Sequence, residues 1–126
     1  MLDESTASIT PQLLLIQSDA SLNQQMSIDL MEAGYVINSV SKSAQALEQI
    51  TESPPALIVV DRMLAGESGL TLCNTLREHG IHVPILLMMS KDTISDRIAC
   101  LEAGADDYFL KPYRTDSFLT LVQLYL

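Results

Sequence analysis

The sequence predicts a doubly wound α/β domain, with one sheet of five parallel strands and helices on both faces. Three observations carry this. Short continuous apolar runs recur at Leu13–Ile16, Leu57–Val60 and Pro84–Met88, as in strands buried on both faces. Each run is followed by a segment with helix character that closes on a glycine: Gly34, Gly80 or Gly104. Strands and helices then alternate strictly over about 115 residues, which implies parallel pairing with right-handed crossovers.

Taken in order, residues 1–11 are polar and acidic and read as a mobile tail ahead of one domain over residues 12–126. After the first strand, Asp19, Ala20 and Ser21 start a helix that runs to Glu32. Tyr35–Val40 is rich in β-formers and gives the second strand. Ser41 or Ser43 caps a second helix, which must end before Pro54-Pro55. The third strand, Leu57–Val60, leads into a loop over Leu64–Gly69 and a helix over Gly69–His79. The fourth strand, Pro84–Met88, is followed by a helix over Asp92–Ala103. Tyr108–Leu110 is the last strand and Thr115–Tyr125 the last helix.

The 126 residues fit one domain, and 48% apolar content supports a core without disulfide or metal. Sixteen acidic against seven basic residues give a net charge of −9. That balance disfavours a surface that tracks nucleic-acid phosphates or binds an anionic membrane. No apolar run reaches the roughly 18 residues of a membrane span, and no basic segment opens a signal peptide. Cys73 and Cys100 lack CxxC spacing and read as reduced, packed thiols of a cytoplasmic protein. His79 and His82 straddle a helix end and do not make a metal site.

In a sheet of this kind ligands gather at the carboxyl ends of the strands, near the point where strand order reverses. The first strand delivers Gln17, Ser18 and Asp19 there, the third Asp61, the fourth Met89 and Ser90, and the fifth Lys111. An acid and a lysine converging from different strands form a candidate site or a structural ion pair at the rim. Asp106-Asp107 reads as a solvated loop, because neighbours on a strand point oppositely.

At these residues the sequence resembles the receiver domain of two-component response regulators over roughly residues 12–126. The stretches that carry the likeness are IACLEAGADDYFLKPY at 98–113, LIVVDRMLAGESGL at 57–70 and VPILLMMSK at 83–91. The first of these looks like the winged-helix transcription-factor subfamily. The resemblance implies a flavodoxin-like fold, Asp61 as phospho-acceptor, Lys111 as phosphate-binding lysine, a cis Lys111–Pro112 bond, and Met89 and Tyr108 at the switch positions.

It also exposes departures. Where the family carries two adjacent acids that hold Mg²⁺, this chain has Gln17 and Ser18; Asp19 lies one residue on and should point away. Met89 stands where the family has a hydroxyl, and a thioether cannot donate to a phosphoryl group. The loop proline after Asp61 is replaced by Ala65. The expectation is therefore a degenerate receiver with no Mg²⁺ or other cofactor, in which Lys111 pairs directly with Asp61. In the resembled subfamily, receivers pair through helix four, strand five and helix five. Arg97, Glu102 and Asp107 keep the charges of that face, but their helix-five partners are Ser117, Leu121 and Gln123. Leu121 and Tyr125 share a helix face and could replace the ionic contact in a homodimer.

The expected role is regulatory and non-enzymatic. The partners are a sensor kinase, a second copy or another regulator, with DNA reached only through an effector domain outside these residues. Two alternatives stand beside it: a phosphorylation-competent receiver, and a small aspartate-nucleophile phosphatase. The latter needs an acid two residues past the nucleophile, where Met63 stands. The Gln17-Ser18-Asp19 triplet is compatible with the cyanobacterial stress regulators that control pigment-antenna degradation.

Overall fold

A computed structural model describes residues 10–126. The expected mobile tail therefore lies outside the described residues, except for Thr10 and Pro11, which are exposed. The strands are β1 Gln12–Ile16, β2 Val36–Val40, β3 Leu57–Asp61, β4 Ile85–Met89 and β5 Asp107–Leu110. The helices are α1 Ala20–Glu32, α2 Ser43–Glu52, α3 Gly69–Glu78, α4 Ile94–Glu102 and α5 Thr115–Leu124. All strands of the main sheet are parallel, in the order β2-β1-β3-β4-β5.

Alternation along the strands divides the core into two layers. Leu14, Ile16, Ile58, Val60, Ile85 and Leu87 face Ala46, Ile50, Leu72, Leu76 and Cys100 of α2, α3 and α4. Leu13, Leu15, Leu57, Val59, Leu86 and Met88 face Met26, Leu30, Phe118 and Val122 of α1 and α5. A sheet buried on both sides explains why its central strands read as unbroken apolar runs.

Several boundaries differ from the expectation for physical reasons. β4 starts at Ile85, since Pro84 has no N–H for the ladder, although its carbonyl accepts from Ile58 N at 2.9 Å. Thr93 caps α4 by accepting from Asp96 N at 3.1 Å, which leaves Asp92 outside the helix. Neither Ser41 nor Ser43 caps α2. Lys42 holds the cap position, and the Gln45 side-chain oxygen accepts from Ser41 N and Lys42 N at 3.1 and 3.2 Å. The loop after β3 is a two-stranded antiparallel ribbon, Met63–Leu64 against Glu67–Ser68, turning at Gly66. α5 stops at Leu124, with Tyr125 as its C-cap.

Candidate functional site

The strand order reverses between β1 and β3, and the carboxyl ends of β1, β3, β4 and β5 meet beside that crevice. Asp61 closes β3 and is 2% exposed. Four hydrogen bonds satisfy its carboxylate. Oδ2 accepts from Gln17 Nε2 and Lys111 Nζ, both at 2.9 Å. Oδ1 accepts from Met63 N at 2.9 Å and Lys111 Nζ at 3.2 Å. At an effective dielectric of about 20 a contact ion pair gains roughly 4 kcal/mol, from which desolvation of the buried acid subtracts a part. α3 approaches this strand end so closely that a Cβ on Gly69 would lie 2.1 Å from the Asp61 carbonyl oxygen. Only a residue without a Cβ allows that close approach.

The Gln17 side chain is held in one orientation. Its Oε1 accepts from Asp19 N at 3.0 Å, so its amide N–H group must face Asp61. Its backbone is fixed as well: N donates to the Val40 carbonyl at 3.0 Å and O accepts from Asn23 Nδ2 at 3.1 Å. Ser18 turns from Asp61 to the ribbon, where its hydroxyl accepts from Ala65 N at 2.9 Å. Asp19 lies beyond β1 and caps α1 by accepting from Leu22 N at 3.0 Å. Lys111 follows β5 and donates its N–H to the Met89 carbonyl at 2.8 Å. The Lys111–Pro112 bond is cis.

Met89 and Tyr108, expected at the switch positions, sit in different surroundings. Met89 is fully buried in the apolar layer, so its thioether packs and does not line an open site. Tyr108 is half-buried, and its hydroxyl donates to Asp92 Oδ1 at 2.6 Å. Arg97 grips the same carboxylate with Nε and Nη2 at 2.7 and 3.1 Å. The Arg97 and Tyr108 hydrogen bonds hold the Asp92 carboxyl below the usual range, and the bond to Asp92 raises the Tyr108 phenol.

Two charges expected to face a partner are committed within the chain. Arg97 pairs with Asp92, and Asp107 accepts from the Tyr125 hydroxyl at 2.8 Å. Glu102 is exposed. Leu121 and Tyr125 pack partly against their own core, while Leu124 projects from α5 and Ile94, Ile98 and Leu101 form an exposed stripe on α4. Their i, i+4, i+7 spacing is the signal a reading of the sequence could have used. Asp106 lies in the exposed bend before β5, where its Oδ2 accepts from Arg77 Nη2 and Ile85 N, both at 2.8 Å, while Asp107 belongs to β5 itself. The sequence reading also passed over Asp29, an acid on the inward face of α1 between buried Met26 and Leu30.

A 2-1-3-4-5 parallel sheet with an acid and a lysine joined at its carboxyl rim defines a doubly wound, flavodoxin-like domain and agrees with the arrangement that the receiver resemblance implies. The family model described as the response regulator receiver domain matches residues 13–123, and the chain belongs to that family. It is 34% identical to the alkaline phosphatase synthesis transcriptional regulatory protein SphR of Synechococcus elongatus, with 90% of this chain and 51% of that protein covered. It is 38% identical to the transcriptional regulatory protein BaeR of Escherichia coli, with 82% and 43% covered. The chain thus spans about half the length of the curated relatives it matches. Among solved structures, a putative response regulator from Chloroflexus aurantiacus aligns with a TM-score of 0.87 at 31% identity, covering 93% of this chain and 98% of that one. The BeF3-activated N-terminal receiver domain of Klebsiella pneumoniae RstA aligns with a TM-score of 0.83 at 29% identity, covering 90% and 97%. Among the described residues no helix is long and apolar enough to cross a membrane.

Proposed function

We propose that this receiver is the cytoplasmic regulatory module of a DNA-binding transcriptional response regulator and acts without ordinary Mg²⁺-dependent phosphorylation of Asp61. The observation that carries this reading is the hydrogen bond from Gln17 Nε2 to Asp61 Oδ2, formed beside the Lys111 ammonium. A neutral amide donor and a neutralising ammonium already meet the acid. The donor set fits a hard dication poorly. Asp61 supplies the single carboxylate, the Gln17 oxygen accepts from Asp19 N, and the Ser18 hydroxyl is turned to Ala65. Phosphoryl transfer depends on positioning and charge neutralisation, so losing the metal removes its main electrostatic support. Output then runs through protein contacts with a sensor kinase, another regulator or a second copy on the α4–β5–α5 face. DNA is reached through the effector part of the longer regulator.

One observation favours the phosphorylation-competent alternative: Asp61 and Lys111 are both present and paired at 2.9 Å. The phosphatase reading is opposed by Met63, an exposed thioether where the second acid should stand. Incubation with Mg²⁺ and a small acyl-phosphate donor separates the three. An unchanged protein mass with no phosphate release above donor hydrolysis supports the proposal. A phosphoryl adduct that disappears in Asp61→Asn supports the second, and sustained phosphate release the third.

A further inference from the structure

Asp29 on α1 is 7% exposed, yet among the described residues no lysine or arginine pairs with it. Three neutral donors meet its carboxylate: Gln25 Nε2 at 3.0 Å, the Tyr113 hydroxyl at 2.6 Å and the Thr115 hydroxyl at 3.4 Å. A charged group at this depth is far costlier than the apolar side chains on either side of it. Tyr113 lies in the connection between β5 and α5, just past Lys111, and Thr115 opens α5. The Tyr113 ring is fixed too, edge-on to Phe109 with centroids 6.1 Å apart and to Phe118 at 5.0 Å. Burial and the Asp29 carboxylate raise the Tyr113 phenol, so it remains a donor.

We propose that Asp29 and Tyr113 are positioning residues, whose hydrogen bond clamps the β5–α5 connection onto α1 and sets the placement of the Lys111 ammonium against Asp61. The lysine backbone is then anchored on both sides, by its own N–H on the Met89 carbonyl and by Tyr113 two residues later. α1 begins directly after the segment that carries Gln17. The clamp thus ties together the two segments that supply the side-chain partners of Asp61, and a partner that shifts α1 moves the lysine without any phosphate. This inference rests on the reading of Asp61 and Lys111 as the signalling site.

The test uses the full chain with isotope-labelled lysine and reads the ε-methylene NMR signal of Lys111, with Lys42 and Lys91 as internal references. Tyr113→Phe keeps the ring and deletes the hydroxyl. Asp29→Leu removes the carboxylate while filling its volume, and a cooperative urea unfolding transition verifies that the variant is folded. Both variants should shift the Lys111 signal toward its position in Asp61→Asn and leave the two reference lysines unmoved. A Lys111 signal at its wild-type position in folded Tyr113→Phe and Asp29→Leu overturns the proposal, and if one variant fails to fold the other decides. An Asp61→Asn variant that leaves Lys111 unmoved counts against the ion pair itself. The Tyr113→Phe response is still read directly against wild type.

Discussion

At the amino-terminal end of the sheet, Arg77 of α3 directs its guanidinium mostly at backbone. It donates to the carbonyls of Gly104, Ile81 and Val83 at 2.9, 2.8 and 2.8 Å and pairs with Asp106 at 2.8 Å. At the carboxyl end, Asp61 is met chiefly by side chains, Gln17 and Lys111, which reach it from two other segments. Each end ties loops together with charge, but the partners differ in kind. Carbonyls fixed in connecting segments cannot leave without unfolding those segments. An amide and an ammonium at the tips of side chains can rotate away at the cost of a few hydrogen bonds. The first arrangement suits a staple, the second a contact that can be exchanged. Gly104 shows how closely the staple is built: its φ is +93°, and an added Cβ would lie 2.7 Å from Arg77 Cγ.

The largest expected effect is at the staple. Arg77→Ala leaves three carbonyls and Asp106 without their charged donor and should lower unfolding stability by about 3–4 kcal/mol. Urea unfolding with an unchanged m-value checks it. Cys73 provides a second readout. Burial pushes its thiol from 9.0 up to about 12, so the folded protein keeps it protonated and unreactive near pH 8. The shift is upward, so its contribution to stability is fully present below pH 9 and is lost as pH rises from 9 through about 12. Loosening the staple should speed labelling of Cys73 by a thiol reagent. Wild-type stability and labelling in Arg77→Ala would dissolve the distinction between the two ends.

Next comes the Asp61–Lys111 contact. Lys111→Met should cost about 2–3 kcal/mol, because it leaves a buried carboxylate with only Gln17 and Met63 as donors. Asp61→Ala should cost less, since the lysine is 25% exposed and can turn to water. The double variant should cost less than the sum of the singles by about 1–2 kcal/mol, the mark of a direct pair. Additive losses would show that the two groups are merely neighbours.

What could be read in the sequence follows the same divide. The strands were legible because β1, β3 and β4 are buried on both faces and so lose the alternation that hides shorter elements. Asp61 and Lys111 were legible because strand ends in a parallel sheet converge on one rim. The partner that completes the site was not. Gln17 appeared as a lost acid, and nothing in its residue type says that Asp19 N would take its oxygen and turn its amide to Asp61. The Arg77 staple was hidden for a related reason: its acceptors are carbonyls, which carry no side-chain signature. Asp29 did carry a signal, an acid three residues past Met26 on an apolar helix face, and periodicity alone could have flagged it.

A smaller effect tests what Gln17 and Ser18 replaced. Gln17→Asp with Ser18→Asp puts three carboxylates at one strand rim, where like charges repel. Melting in EDTA should fall by roughly 3–8 °C, equivalent to about 1–2 kcal/mol, and Mg²⁺ should restore it by binding the folded state. If the melting temperature of the variant ignores Mg²⁺, the pocket is not the cation site that the family resemblance implies.

The smallest effect lies on the outer face, where charge is held by neither backbone nor burial. Asp92 sits outside the α4 helix and takes the Arg97 guanidinium and the Tyr108 hydroxyl. Both bonds lower its folded pKa from 3.8, with Arg97 the larger cause. A lowered pKa gives a contribution that is present above the ordinary carboxylate range and is lost as pH falls through the folded value. Tyr108→Phe removes one of the two donors and keeps the ring. The Asp92 titration, followed by NMR of its carboxyl carbon, should move upward yet remain below 3.8, because Arg97 still holds the acid. Urea stability at neutral pH should barely change, since the network is open to solvent. An unmoved midpoint would mean that Tyr108 is placed by the packing of its ring alone. A shifted midpoint would establish that the tyrosine is tethered to the loop ahead of α4, next to the exposed Ile94, Ile98 and Leu101 stripe. That tether would tie β5, whose end leads into Lys111, to the loop beside that surface.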